Sequence, residues 1–193
     1  MGGERMTDAE VLQVFRDTRA LLDGHFLLRS GLHSRQYFQC ALVLQHPRLA
    51  ERLCGKLAAK LKNTGAQTVI SPALGGLFVG HEVARALNLR HVFAEKDSSG
   101  TLDLRRNFQI AAREKVLVVE DVVTRGGRVW ETFGIVHSLG GEVVGVGTLV
   151  DRSDGKMDFG VPLETLLRLP VDIFGPASCP LCRAAVPVTK PGS

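Results

Sequence analysis

The chain has 193 residues, 45% hydrophobic and 23% charged, with 24 Lys and Arg against 20 Asp and Glu. That balance fits one globular domain with a proper core and excludes disordered and fibrous classes; a net charge of +4 without any dense basic block favours small anionic ligands over nucleic acid. No apolar run approaches the ~18 residues of a membrane helix, and the opening MGGERMTDAE is polar where a signal peptide is apolar, so a cytoplasmic chain with no membrane partner is expected.

Residues 7–22 begin with Thr7 and Glu10 at capping-box spacing and place Val11, Val14, Phe15, Leu21 and Leu22 on one stripe, which predicts an amphipathic helix closed by Gly24. Residues 25–28 and 36–40 read as two short strands about a turn at Ser30-Gly31. Pro47 opens a second helix, with Leu49, Leu53, Leu57 and Leu61 on one face and Cys54 as a small core residue, until Gly65 stops it. From Thr68 onward, short apolar strands alternate with helices: strand 68–71, a glycine loop, helix 77–87, strands 91–95 and 115–119, helix 128–139 and strand 142–150. Such alternation predicts an α/β core, a mostly parallel sheet covered on both faces, because parallel strands need crossover connections. The stretch 96–114 is polar, lacks apolar periodicity and is too long for a minimal connection, so it reads as a lid loop.

No internal repeat or linker divides the chain. It reads as a single domain, residues 1–193, with a hood of about 1–45 plus the C-terminal tail, and a core of about 46–170. The tail after Pro176 is expected to be extended and only locally packed. The four cysteines are too few and too unevenly spaced for a disulfide framework. Within them Cys179-Pro180-Leu181-Cys182 reads as half a zinc site, as a redox pair, or as a turn with two reduced thiols; a zinc site needs two more thiolates or imidazoles.

The most informative segment runs from Lys115 through Glu120 and Asp121 to Thr124-Arg125-Gly126-Gly127-Arg128. An apolar strand delivers two carboxylates to its carboxyl end, where open α/β sheets bind ligands. Buried side by side, the carboxylates need partners, and a vicinal diol with a nearby cation supplies them. The glycine turn then opens a helix whose free N–H groups suit a phosphate. Diol and phosphate one loop apart match a ribose 5-phosphate. The segment is neither a Walker loop nor GxGxxG.

This segment resembles the phosphoribosyl diphosphate signature of the type I phosphoribosyltransferases. Phe26-Leu27-Leu28-Arg29-Ser30-Gly31 followed by Tyr37-Phe38, together with Asp151-Arg152, resembles the orotate-using branch; the Cys-Pro-Leu-Cys tail resembles its thermophile-type members. The resemblance implies the type I phosphoribosyltransferase fold, with a small N-terminal hood and a long lid over the sheet. It implies orotate and 5-phosphoribosyl 1-diphosphate as substrates, Mg2+ held mainly by substrate and water without direct side-chain ligands, and a homodimer. Lys96 and Asp121 are then the catalytic candidates. Ala73, Leu74, Gly75, Gly76, Lys96, Arg106, Glu120, Asp121, Val122, Val123, Thr124, Arg125, Gly126, Gly127 and Arg128 become candidates for the sugar diphosphate. Arg29, Phe38, Thr124 and Arg152 become candidates for orotate, whose carboxylate calls for a fixed cation. A purine-using enzyme of the same fold and a non-catalytic regulator are the competing readings.

Overall fold

The computed structural model describes residues 6–28, 30–153, 155–170 and 172–191. Helix α1 (Asp8–Asp17) starts in the expected capping box, with Thr7 and Glu10 bonded reciprocally, but it ends at Thr18 rather than running to Leu22. Arg19 turns the backbone at φ +56°, and Leu21 and Leu22 enter strand β1 (Leu21–Leu27). Gly24, expected to stop a helix, lies instead inside β1 at an irregularity of its pairing with β2 (His33–Phe38). A short helix α2 (Ala41–Leu44) leads to α3 (Pro47–Leu61), which starts on Pro47 as expected and buries Cys54.

The core follows as β3 (Thr68–Pro72), α4 (Gly75–Leu87), β4 (Arg90–Lys96), β5 (Leu102–Leu104), β6 (Lys115–Val123), α5 (Gly127–Ser138), β7 (Glu142–Asp151) and β8 (Leu163–Arg168). Their order in the sheet is β5-β4-β3-β6-β7-β8, parallel except for β5 beside β4. Both faces are covered, as parallel pairing requires. Along β6, Val116 and Val118 face a cluster with Val129, Phe133 and Val136 of α5, whereas Leu117 and Val119 face one that includes Leu53 and Leu57 of α3 and Phe15 of α1.

The stretch expected as a bare lid loop is in part a hairpin. β5 returns along β4 after a turn in which Asp97 Oδ1 accepts from the N–H groups of Ser99 and Thr101. The tail is not simply extended either. β9 (Ile173–Phe174) adds to β2, a single helical turn forms α6 (Pro180–Arg183), and Thr189 pairs with β1 through bonds to the His25 carbonyl and the Leu27 N–H.

Candidate active site

The chain passes from β3 to β4 on one side of the sheet and returns to β6 on the other side of β3, which makes the carboxyl ends of β3 and β6 the topological switch point. Loop 73–76 after β3, Lys96 at the end of β4, residues 120–128 after the apolar part of β6, and Arg152 after β7 therefore share one edge.

Strand β6 continues further than its apolar run predicts. It pairs with β3 only as far as Ile70 opposite Val118, yet stays in register with β7 to Val123 opposite Asp151. The ladder toward β7 holds Glu120 and Asp121 in extended backbone while the side toward β3 opens. Into that opening comes loop 73–76, with a cis Ala73–Leu74 peptide and the Ala73 N–H bonded to the Ala94 carbonyl at 2.7 Å. A Cβ on Gly75 would fall 2.7 Å from Asp121 Oδ1, and one on Gly76 would fall 3.0 Å from Glu120 Oε1. The glycines are what admit the carboxylates.

Glu120 is only 7% exposed. Its Oε1 accepts from the Asp121 N–H at 3.0 Å, and Asp121 Oδ1 accepts from the Val122 N–H at 2.9 Å. Neither forms an ion pair among the described residues. Burial raises both carboxyls above their usual range, and for Glu120 the neighbouring Asp121 charge adds to it. The pair is thus short of hydrogen-bond donors and of positive charge, the condition that a sugar diol with a divalent cation relieves.

At the following turn Gly126 adopts φ +70° and begins α5, and among the described residues no side chain caps the first N–H groups of this twelve-residue helix. A Cβ on Gly126 would meet Met157 and Phe159 at 2.8 and 2.9 Å, whereas one on Gly127 would meet nothing within 4 Å. Thr124 and Arg125 are exposed, Val123 is buried in the sheet, and Arg128 is bonded to Glu131 at 2.7 Å. An anion seated at Gly127 would have the helix N-terminus and this threonine and these arginines around it.

Arg152 has the most telling surroundings. Its N–H bonds to the Val123 carbonyl at 2.8 Å, tying it to the end of β6, and its guanidinium lies 5.8 Å from the centre of the Phe38 ring. Its Nε is the one buried side-chain nitrogen or oxygen without a hydrogen-bond partner among the described residues, and burial lowers its pKa. Phe38 is itself buried, edge-on to Phe15 at 6.0 Å, so it forms the floor beneath Arg152.

Of the lid cations, Lys96 stands exposed at the strand end, whereas Arg106 is engaged with Glu95 through bonds of 2.9 and 3.0 Å and lies over Phe93. Arg29 lies outside the described residues. Two neighbours of the site went unassigned from sequence. Asp151, fully buried, accepts from both the N–H and hydroxyl of Ser153 and from Arg168, and so fixes the turn that carries Arg152; the Asp-x-Ser spacing was its signal. Cys40, buried, has its thiol pKa pushed up by burial and then by the Asp121 and Glu120 charges. No local pattern marks that position.

Comparison with known proteins identifies the family and the fold. The family model for the phosphoribosyl transferase domain matches residues 43–159. The chain is 53% identical over 188 residues to the orotate phosphoribosyltransferase of Desulforamulus reducens, covering 97% of this chain and 98% of that one. It is 54% identical over 182 residues to the enzyme of the same name from Caldicellulosiruptor bescii, covering 94% and 95%. The solved orotate phosphoribosyltransferase of Aeropyrum pernix superposes with a TM-score of 0.70 at 24% identity, over 82% of this chain and 93% of that one, which shows a common fold.

Proposed function

The chain belongs to the phosphoribosyltransferase family and has its type I fold, and from that premise we propose how this site transfers ribose 5-phosphate from 5-phosphoribosyl 1-diphosphate to orotate. It is an orotate phosphoribosyltransferase, whose products are orotidine 5-monophosphate and diphosphate and whose place is in pyrimidine nucleotide synthesis. The observation that carries the base assignment is the unpartnered Arg152 Nε one strand from the buried acid pair, a fixed cation for an anionic base beside a seat for a diol. A purine has no carboxylate to require it.

In this reading Glu120 and Asp121 accept hydrogen bonds from the two ribose hydroxyls and set negative charge beside an anomeric carbon that becomes cationic as its bond to diphosphate breaks. N–H groups of residues 124–128, with the Thr124 hydroxyl, hold the 5-phosphate. Ala73, Leu74, Gly75 and Gly76 present backbone donors to the diphosphate. Lys96 folds over it and excludes water, joined by Arg106 once that side chain exchanges Glu95 for the substrate. Arg152, with Arg29 and Thr124, orients orotate so that its ring nitrogen faces the anomeric carbon. The under-compensated carboxylate pair fits a substrate carrying Mg2+, whose ligands would be diphosphate, sugar hydroxyls and water, with Glu120 and Asp121 holding those hydroxyls. Bound there, the ion supplies charge that stabilises the departing diphosphate.

We place the enzyme in the cytoplasm; among the described residues no helix is long and apolar enough to cross a membrane. The core cluster that joins α1 and β1 to the central sheet supports one domain, hood included. A homodimer is proposed on the exposed Leu74 and Phe78, 82% and 60% accessible at the start of α4 beside the site, and sedimentation of the purified chain tests it. The reaction is tested by following orotate absorbance with and without Mg2+, with adenine, hypoxanthine and uracil offered in competition. Metal-dependent loss of orotate is expected. Turnover of a purine instead, or binding of the sugar diphosphate with no turnover of any base, would replace this reading with one of its competitors.

A further inference from the structure

We propose that His25, His33, Cys179 and Cys182 form a tetrahedral zinc site that locks the C-terminal tail onto the hood sheet. One ligand atom from each lies within 4.8 Å of every other. His25 and His33 face each other across the β1–β2 hairpin, and the two cysteines flank the start of α6. His25 Nε2 is 2.7 Å from His33 Nδ1, 3.6 Å from Cys179 Sγ and 3.8 Å from Cys182 Sγ, and Cys182 Sγ is 3.3 Å from His33 Nδ1. Zinc bonds of about 2.3 Å to sulfur and 2.0 to 2.1 Å to nitrogen give tetrahedral edges of roughly 3.3 to 3.8 Å. The three sulfur-to-nitrogen edges from His25 Nε2 to both sulfurs and from His33 Nδ1 to Cys182 Sγ already have those lengths; the edge between the imidazoles would open by about half an ångström.

Hydrogen bonding alone does not satisfy the cluster. His25 Nδ1 lies 2.8 Å from the Val186 carbonyl, which can only accept, so Nδ1 carries a proton, and in the neutral imidazole Nε2 is then a bare lone pair. One in-plane lone pair then faces three neighbours, an imidazole nitrogen and two sulfurs. A cation at the centre uses all four donors, and the carbonyl bond is the outer contact that orients a ligating imidazole. The donor set, two thiols and two imidazoles, suits zinc above magnesium or calcium. Three of the four residues are buried and both cysteines are free thiols.

Val186 and Val188 are 38% and 52% exposed, and beyond the β9 pairing with β2 the tail meets β1 through the backbone bonds of Thr189 and the His25 bond to the Val186 carbonyl. A metal here joins residues more than 140 positions apart, where closing a loop gains most. The hood carries Phe38, the floor under Arg152, so the metal steadies one wall of the base site from outside it.

The full-length chain, purified without a metal-binding tag and kept reduced, is analysed for metal by mass spectrometry, stripped with chelator and refilled with Co2+. About one zinc per chain is expected, with an intense visible cobalt spectrum of tetrahedral thiolate coordination. Metal removal should lower the melting temperature by more than about 5 °C, and refilling should restore it. The double variant Cys179→Ser, Cys182→Ser should lose the cobalt bands. Should it fail to fold, the stripped wild type supplies the comparison. A reduced protein that holds no zinc and takes up no cobalt, or one isolated with a Cys179–Cys182 disulfide and no metal, would overturn the proposal. None of these measurements depends on turnover.

Discussion

Replacing Arg152 by Met separates binding from stability at a single position. In the folded chain the guanidinium Nε is buried without a partner, and an unsatisfied buried donor costs about 1–3 kcal/mol. Loss of the contact with Phe38, 5.8 Å away, returns about 0.5–2 kcal/mol in the other direction. Methionine fills the same channel with an apolar chain, so Arg152→Met should leave the melting temperature unchanged or raise it by up to about 5 °C. Against orotate the sign reverses. Two charge-assisted hydrogen bonds to a carboxylate, about 1.5–3 kcal/mol each, make a loss of roughly a hundredfold to ten-thousandfold in kcat/KM for orotate. The KM for the sugar diphosphate should hold. A thermal scan and the orotate absorbance assay read the two effects. A melting temperature lowered by more than about 5 °C would mean that Arg152 has a partner in the fold, and a kcat/KM within about threefold of wild type would mean that the carboxylate is held elsewhere; either result refutes the reasoning.

Neighbouring glycines at the α5 turn should respond differently. Gly126→Ala forces alanine to φ +70° and against Met157 and Phe159, a cost of at least about 1–2 kcal/mol, so both melting temperature and sugar-diphosphate affinity fall. Gly127→Ala meets nothing in the fold, and an unchanged melting temperature with weakened sugar-diphosphate binding is expected; unchanged binding by titration calorimetry would remove the phosphate from that turn. Glu120→Gln takes charge out of the buried pair. An acid with a higher pKa folded than unfolded binds more protons when folded, so its contribution is fully present below its ordinary value of 4.5 and is lost as pH rises through the raised one. The melting temperature of Glu120→Gln relative to wild type should therefore increase as pH rises above 4.5, while turnover collapses. A difference independent of pH would show that the pair is not strained by charge.

What could be read in advance was what local chemistry writes into consecutive residues. The Glu120-Asp121 pair, the Thr-Arg-Gly-Gly turn and the Asp151-Arg152 corner carry their meaning within a few positions. The strand and helix alternation from Thr68 onward follows from periodicity, and α4, α5 and β7 lie within two residues of their expected bounds, while α3 starts on Pro47 as expected and ends at Leu61, short of the stop expected at Gly65. Where local signals compete, the reading fails. Leu21 and Leu22 continue the apolar spacing of α1 by coincidence, and nothing between Thr18 and Leu21 is a glycine or proline to announce the break. β8, with Leu163, Leu166 and Leu167 in an irregular pattern, fits neither period well. Features made by distant residues were out of reach: His25 gains its cysteine neighbours only when the tail returns, and Arg106 finds Glu95 only because β5 doubles back.

On the proposed reading, the parting of β6 from β3 beyond Val118 makes the substrate's seat a notch already present in the sheet's rim. No rung has to break for a sugar to slide in, and the floor on the β7 side keeps its spacing throughout a turnover. On the same reading, arrival and departure should follow the movement of the β4–β5 hairpin, so crosslinking it in place ought to slow exchange while the strands of the sheet show the same amide protection, loaded or empty.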